Sequence, residues 1–230
     1  MTTNPVRHSI PADILALSHE RDELRKRGRY DRADALKKVI EDAGYSIKDN
    51  PRGAHLVILP SIEVDGTVYR RASHVPSLLN ESDRYLFSVQ ILANNCSEQA
   101  RRCVESIFRH AGTQAIEILL IDNASQDEVS AWASEFQREV ALLHVIRTSR
   151  VMGEAEARNL GLAQSRGRYI LQLDAGIELT GDIFTPLASL LENPENGIAG
   201  LRGLRTEDLR HFEESEDELV ESVDGSCMAF

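Results

Sequence analysis

Apolar residues recur at helical spacing in two successive segments near the start of the chain. The first segment runs from about 11 to 27, and its apolar positions, at intervals of four, three and seven, share one helix face. These positions are Ile10, Ile14, Leu17 and Leu24. The second segment runs from 31 to 43, with Asp31 expected as its N-cap and Gly44 just past its end. Because only a short turn around Gly28 separates the segments, they are predicted to form a helical hairpin.

The pattern changes after this hairpin. Residues 46–53 are rich in turn-forming residues. Residues 62–69 then alternate around Asp65-Gly66, a pair typical of a β-hairpin turn. We therefore interpret residues 1–59 as a small helical hairpin module and residues 60–85 as a linker that contains a β-hairpin.

From residue 86 onward, short apolar runs alternate with amphipathic segments. The predicted strands are 87–92, 117–121, 142–146, 169–173 and 198–201. The predicted helices are 97–110, which Ser97 caps, 125–138, 153–164 and 184–191. This order predicts an α/β fold over residues 86–230, with a mostly parallel sheet and helices on both faces.

Polar residues directly follow three of these strands. They are Asn94 and Asn95, Asp122 and Asn123, and Asp174. Ligands of such sheets bind beyond the carboxyl ends of the strands, so these residues are candidates for a binding site. Asp122 can accept hydrogen bonds from a base or a ribose, or it can cap the next helix. Asp174 can serve as a metal ligand or as a turn acceptor.

Arg158 lies between Gly153 and Gly161 on the predicted helix 153–164. A helix start near a phosphate group suits anion binding. The chain has no glycine-rich phosphate motif, however, and the spacing alone favours an arginine that fixes nearby carboxylates.

Charge is unevenly distributed along the chain, whose net charge is −11. Residues 1–80 carry 13 Lys/Arg against 11 Asp/Glu, whereas residues 81–230 carry 13 against 26. Eight acids and one arginine fall within 207–221, which is expected to be a solvated loop. The acidic second half argues against nonspecific binding to nucleic acid or to anionic lipid, since both require a basic surface.

The remaining composition indicates an ordinary globular protein. No apolar run approaches the roughly 18 to 20 residues of a membrane span, and the first ten residues lack the apolar core of a secretory signal. We therefore expect a cytoplasmic location. Cys96, Cys103 and Cys227 form no CxxC pair and are expected to be free thiols.

Four motifs within the second half resemble those of family-2 glycosyltransferases. They are FSVQILANN at 87–95, EILLIDNASQD at 117–127, ARNLG at 157–161 and GRYILQLD at 167–174. The family patterns are an apolar strand before P-T-Y-N or L-T-Y-N, E-I-I-V-V-D-N-x-S-x-D, A-R-N-x-G, and G-x-Y-I-x-x-L-D. The shared order and spacing make the resemblance specific.

This resemblance implies a GT-A fold that binds a nucleoside-diphosphate sugar. Asp122 would contact the base or ribose, and Asp174 would lie near the ribose and a Mn²⁺ or Mg²⁺ ion as its ligand. Arg158 would lie near the pyrophosphate or its neighbouring carboxylates. The remaining residues expected to border the nucleotide are Ala93, Asn94, Asn95 and Asn123.

The sequence departs from the family pattern at three places. Asn94 stands where the family has an aromatic residue. Gly176 replaces the second acid of the D-x-D motif, which normally binds the metal, and Glu178 lies two residues further on. Residues 223–230 resemble the strand that opens the acceptor half, so the domain is expected to be C-terminally incomplete. Catalytic residues therefore stay unassigned.

The first unit resembles the C-terminal helical hairpin of cysteinyl-tRNA synthetases. The residues that carry this resemblance are RDELRKRGRYDRADAL at 21–36, Ala43-Gly44 and KDNPRG at 48–53. The resemblance implies a small helical module that could contact RNA. A packing or oligomerisation role is favoured over RNA binding.

Two classes of function follow from these features. The first is a glycosyltransferase-like enzyme that transfers a sugar to an unknown acceptor. The alternative is a catalytically inactive sugar-nucleotide binder or scaffold, in which the amino-terminal hairpin serves as an interaction or RNA-contacting module.

Overall fold

The computed structural model describes residues 10–50 and 53–230. The chain divides into two units, residues 1–61 and residues 62–230. Each unit has its own apolar core.

The first unit joins a pair of helices to a pair of strands. Its elements are α1 (Ala12–Lys26), α2 (Tyr30–Asp42), β1 (Tyr45–Asn50) and β2 (Gly53–Ile58). The two strands are antiparallel, and the core is formed by Ile14, Ile40 and Leu56. The predicted helical hairpin is therefore present. It is completed by a β-hairpin, because two helices alone offer too little apolar surface to cover both inner faces.

Two local expectations for this unit are wrong. Helix α2 begins at Tyr30, so Asp31 lies within its first turn and is not the N-cap. Residues 46–53 are not a turn-rich connection, because most of them form β1 and the start of β2. Pairing across the hairpin places Ile47 opposite Leu56, and that contact outweighs the weak strand propensity of the polar residues that follow.

The second unit is built on an eight-stranded sheet. In spatial order its strands are β4 (Thr67–Tyr69), β3 (Ile62–Val64), β7 (Leu143–Thr148), β6 (Ile116–Asn123), β5 (Tyr85–Ala93), β8 (Gly167–Asp174), β13 (Cys227–Ala229) and β9 (Ala199–Gly200). The four central strands, β7, β6, β5 and β8, are parallel to one another. Each outer strand pairs antiparallel with its neighbour. The predicted mostly parallel sheet is confirmed.

Four helices cover this sheet on both faces. They are α3 (Ser97–His110), α4 (Val129–Glu139), α5 (Glu154–Gln164) and α6 (Phe184–Leu191). Residues of α3, α4 and α6 share a core with Ile118 and Leu120, whereas residues of α5 pack with Ile121 in a second core. This division follows from the alternation of side chains along β6. The predicted covering of both faces is confirmed.

The segment 60–85, interpreted from the sequence as a linker, contributes to the main sheet. Strands β3 and β4 form the hairpin that Asp65-Gly66 predicts, and both turn residues have positive φ, 45° and 84°. Strand β3 also pairs with β7. The hairpin therefore belongs to the second unit, because its backbone completes one edge of that unit's sheet.

The acidic stretch 207–221 is not simply a loop. Part of it forms β11 (Glu213–Ser215), which pairs with β10 (Gly203–Arg205); β10 also pairs with β12 (Ser222–Val223). Exposed ion pairs cross this small sheet, from Arg202 to Glu214 and from Arg205 to Asp217. These pairs offset part of the repulsion that favoured a loop.

A buried polar network joins the starts of the central strands. The Glu117 carboxylate is fully buried and accepts hydrogen bonds from Ser88 Oγ at 2.6 Å and from Arg166 N at 2.6 Å. Its other oxygen accepts from Arg166 Nε at 3.1 Å and Nη2 at 2.8 Å. A Cβ at Gly167 would lie 2.3 Å from Ser88 N, so only glycine fits beside this network.

Within the described residues, no helix is both long enough and apolar enough to cross a bilayer.

Candidate functional site

The order of the central strands defines a topological switch point at the carboxyl ends of the strands. The connections from β5 to β6 and from β6 to β7 carry α3 and α4 on one face, whereas α5 returns to β8 on the opposite face. The strand order therefore reverses at β5: the chain first moves from β5 to β6 and β7 on one side, and it then returns to β8 on the other side of β5. Such a switch point is where parallel sheets bind ligands.

Asp122 and Asp174 lie on the two strands that flank β5. Asp122 is opposite Ala93, and Asp174 is opposite Leu92. Two strand spacings separate their Cα atoms by about 10 Å. The sheet therefore brings both residues to its carboxyl end at nearly the same level, with the Asp122 side chain on the face covered by α4 and the Asp174 side chain on the face covered by α5.

Their surroundings differ. Asp122 is 2% exposed; its Oδ1 accepts from Ser125 N at 3.0 Å, and its Oδ2 accepts from Ser130 Oγ. It therefore orders the turn after β6, but it does not cap the next helix, because the N-cap of α4 is Glu128. The side chain of Asp174 is 56% exposed and open to a ligand.

The loop after β5 is held by the loop after β6. Asn94 Nδ2 donates to Asn123 O at 2.6 Å, and Asn95 Oδ1 accepts from Gln126 N at 2.7 Å. Asn95 and Ala124 have positive φ, 52° and 58°, which costs an alanine about 1 kcal/mol or more. Such strain persists where surrounding contacts fix a conformation, and it is concentrated at functional sites.

Two helix starts near this edge differ from expectation. Helix α3 has Cys96, not Ser97, at its N-cap, and Ser97 N donates to Asp127 Oδ2 at 2.8 Å. Helix α4 starts at Val129 and not at 125. Residues 125–128 instead supply the hydrogen bonds that hold the neighbouring loops.

Asn123 is occupied by internal bonds. Its Oδ1 accepts from Met152 N at 2.8 Å and Thr148 Oγ1 at 3.2 Å, and its Nδ2 donates to Met152 O at 2.9 Å. Its side chain therefore fixes the loop that leads into α5. Ala93 is fully buried at the end of β5 and Asn123 is 5% exposed, so neither side chain projects toward a ligand.

Arg158 extends from α5 to the end of β8. Its Nη2 donates to Asp174 Oδ1 at 3.2 Å, and its Nε donates to Glu154 Oε1 at 3.0 Å. The residue is 8% exposed, and its Nη1 is buried with no hydrogen-bond partner among the described residues. Buried donors are usually satisfied, so this nitrogen is suited to an anionic ligand.

The position of the D-x-D motif offers one carboxylate, that of Asp174. Gly176 supplies no side chain, and the Glu178 carboxylate lies 3.7 Å from Arg102 Nε and 4.0 Å from Arg109 Nη1. The described part of the chain holds no group of three or more His, Cys, Asp or Glu side chains arranged for a metal ion. These residues do not fit a cation held mainly by protein ligands. Metal binding by Asp174 stays a prediction.

All three cysteines lie around this edge as free thiols. Burial, followed by the charges of Cys227, Cys96 and Asp174, raises the pKa of Cys103 to about 12. Burial likewise raises the pKa of Cys227 to about 11, and it raises that of the half-buried Cys96. The Cys103 thiol donates to Asp174 O at 3.9 Å, so it supports the end of β8 in its neutral form.

Sequence reasoning missed the residues that position these groups. Ser130 fixes Asp122, and Glu154 fixes Arg158. The four-residue spacing of Glu154 and Arg158 on a helix was a usable signal. No comparable signal existed for Met152, which binds Asn123 through its backbone alone.

A separate cavity of about 360 Å³ lies at the far edge of the sheet. It is bordered by the end of α6, by β9 and by residues 217–223. None of the residues proposed from the sequence lines it.

The comparisons with known proteins match the part of the chain that contains the candidate site. The family model described as glycosyl transferase family 2 matches residues 88–223, more than half of the 230 residues. Glycosyltransferase GlyG of Streptococcus pneumoniae is 30% identical over 90 residues, which cover 39% of this chain and 30% of that protein. The uncharacterised glycosyltransferase YibD of Escherichia coli is 28% identical over 125 residues, covering 53% of this chain and 34% of that protein.

This chain therefore spans about a third of the length of these curated relatives. A solved structure of S. aureus TarS residues 1–349 in complex with UDP matches with a TM-score of 0.50 at 14% identity, covering 62% of this chain and 46% of that one. At that identity the likeness concerns the fold alone, which is of the GT-A type.

Proposed function

We propose that this chain, which belongs to glycosyl transferase family 2, binds a nucleoside-diphosphate sugar at the edge of the sheet where β5 and β8 end. One observation carries the proposal. The switch point gathers an exposed carboxylate, Asp174, and a buried arginine with an unsatisfied nitrogen, Arg158. A sugar nucleotide offers matching groups, since its hydroxyls donate to carboxylates and its diphosphate accepts from arginine.

The surrounding elements favour the same class of ligand. Helices α3 and α5 begin at this end of the sheet, so the positive ends of two helix dipoles lie there. The first N–H of α3 is bonded to Asp127, whereas Gly153 gives α5 no side-chain cap, so backbone N–H groups of α5 are available to a ligand. Asn94 and Asn95 are exposed at the same edge. In this arrangement Asn94 takes the place of a stacking aromatic residue and offers hydrogen bonds to the base instead.

Asp122 acts on the nucleotide in two ways in this proposal. Its bonds to Ser125 and Ser130 fix the turn that supports the Asn95 loop. Each carboxylate oxygen also retains a second lone pair, which a base N–H or a ribose hydroxyl can use. The residue is thus both a support and a contact.

Titration calorimetry of the full chain tests the proposal. UDP, GDP and ADP are titrated with and without Mn²⁺, and at least one is expected to bind. UDP is the first choice because the TarS structure with a related fold contains it. Heat that matches dilution for every nucleotide under both conditions would contradict the proposal.

A steric variant locates the site. A Cβ at Gly176 meets nothing within 4 Å, and its φ lies outside the left-handed region. Gly176→Trp should therefore occupy the open space just after Asp174 and weaken binding without unfolding the chain. Gly181→Trp is the matched control, because Gly181 has the same freedom further along the chain.

Transfer to an acceptor is the finer part of this proposal. Incubation with UDP- and GDP-sugars should release the nucleoside diphosphate if the chain completes a transfer. Tight binding with no release across a donor panel would favour a sugar-nucleotide binder or scaffold instead.

The amino-terminal unit supports an additional role as an interaction module. Its α1–α2 turn exposes five cationic side chains, Arg25, Lys26, Arg27, Arg29 and Arg32. Tyr30 is 60% exposed among them, and no described carboxylate pairs with Arg29 or Arg32. Cations interleaved with an aromatic ring suit an anionic partner such as RNA.

An electrophoretic shift with tRNA at physiological salt tests the RNA assignment. Binding is expected to fall when Arg29 and Arg32 are both replaced by glutamate. If the unaltered chain shifts no RNA, the module acts through a protein partner or a second copy of this chain, and sedimentation distinguishes the two.

A further inference from the structure

The charge at the candidate site differs from that of a metal-dependent site. A D-x-D pair adds two carboxylates beside the diphosphate, so a divalent cation must offset their mutual repulsion. Here Gly176 removes one of those charges. The Glu178 carboxylate is held between Arg102 and Arg109 and does not replace it.

Arg158 is placed to supply positive charge in the cation's stead. It is nine-tenths buried at the end of β8, where water screens its charge less than at the surface. Two of its three nitrogens are fixed by Glu154 and Asp174, which are themselves largely exposed. The third, Nη1, is buried without a partner among the described residues.

The two carboxylates do not cancel this effect. Their side chains are 70% and 56% exposed, so solvent screens much of their charge. Their bonds also hold the guanidinium in one orientation, which removes the entropy cost of ordering it around a ligand.

We propose that the diphosphate binds here without a divalent cation held by the protein, and that Arg158 Nη1 donates to it in the cation's place. This inference rests on the proposed function. It identifies the group that recognises the diphosphate and explains how Gly176 is compatible with binding.

Calorimetry with UDP and UMP tests the inference. In EDTA the full chain should bind UDP, and adding Mn²⁺ should change the affinity by less than about threefold. UDP should bind more tightly than UMP in EDTA, because only UDP offers the second phosphate to Arg158.

Arg158→Met should remove that preference. Losing a hydrogen bond to a charged group corresponds to about a 10- to 150-fold loss in UDP affinity, whereas UMP affinity should change much less. Arg168→Met is the matched control, since Arg168 is exposed at the other end of β8 and should leave both affinities unchanged. Thermal unfolding of each variant shows that it is folded.

Gly176→Asp provides the reciprocal test. The open space around Gly176 admits the new carboxylate, and its restored charge should make UDP binding at least about tenfold tighter in Mn²⁺ than in EDTA. Because the expected effect is a gain in UDP affinity, it cannot arise from unfolding of the variant.

The outcomes separate the two proposals. Binding of UDP by the unaltered chain only in Mn²⁺ would overturn this inference and leave the proposed function standing. An unchanged preference for UDP over UMP in Arg158→Met would also overturn it. Failure of UDP, GDP and ADP under both conditions would instead refute the proposed function, and the inference with it.

Discussion

Replacement of Glu117 by glutamine should destabilise the second unit strongly and leave its ligand site intact. The Glu117 carboxylate is fully buried and accepts four hydrogen bonds, three of them from Arg166. A glutamine amide retains one acceptor oxygen and presents N–H groups to donors on its other side. It also leaves Arg166, whose side chain is 15% exposed, without its charge partner.

The size of this effect follows from the burial of the pair. Breaking a buried ion pair costs about 3–5 kcal/mol, and residual access of Arg166 to water places the expected loss near the lower end, about 3 kcal/mol. With a urea m-value of about 2 kcal/mol/M, the unfolding midpoint should fall by about 1.5 M.

Urea unfolding followed by tryptophan fluorescence measures this loss. The chain has one tryptophan, Trp132, which packs against the core of the second unit, so the signal reports that unit. Glu128→Gln is the control, because Glu128 is exposed and its replacement should change stability by less than about 0.5 kcal/mol. If Glu117→Gln matched this control, the buried network would not stabilise the fold as argued. UDP affinity of the folded variant should equal that of the unaltered chain.

Two further predictions concern titratable groups. Burial disfavours ionisation of Asp65, but its hydrogen bond with His144 holds the pKa of that carboxyl below its ordinary value of 3.8. Because the pKa is depressed in the folded state, its contribution to stability is complete above about pH 4 and is lost as pH falls through the folded value. Asp65→Asn keeps a residue tolerant of positive φ, so it should flatten this acid dependence in urea titrations from pH 6 to 3; an unchanged slope would contradict the assignment. The thiols form the second case: at pH 8 a maleimide should label the half-buried Cys96 first, and UDP should slow that labelling, whereas Cys103 and Cys227 should react only on unfolding. Equal rates for all three in mass-spectrometric time courses would show that the core around them is open.

The alternation of apolar segments predicted the central architecture because each central strand is short, mostly buried and bounded by turn residues. Strand β6 has every residue buried, and its middle, residues 118–121, is an unbroken apolar run. The same logic placed Asp122 and Asp174 at one edge, since parallel strands align their carboxyl ends. Their alignment beside β5 followed from the strand order.

Details that depend on tertiary contacts were not visible in the sequence. Strand β1 has few apolar residues and forms only because β2 pairs with it. Ser97 has the composition of an N-cap, but Asp127, thirty residues away, binds its backbone N–H instead. The partners of Glu117 are 29 and 49 residues distant along the chain, and no local period reveals them.

The different roles of the candidate-site residues were also not visible in the sequence. Asp122 and Asp174 both end apolar strands, and only the structure distinguishes the buried carboxylate from the exposed one. The unsatisfied nitrogen of Arg158 depends on the bonds that its other nitrogens make. Spacing along the sequence carries no information about which donor nitrogen lacks a hydrogen-bond partner.

A crystal structure of the full chain with UDP is the most direct test of nucleotide binding at the switch point. Electron density for the diphosphate is expected between the ends of β5 and β8, within hydrogen-bonding distance of Arg158. Density for the nucleotide in the cavity beside α6, or elsewhere on the surface with the switch point empty, would contradict it.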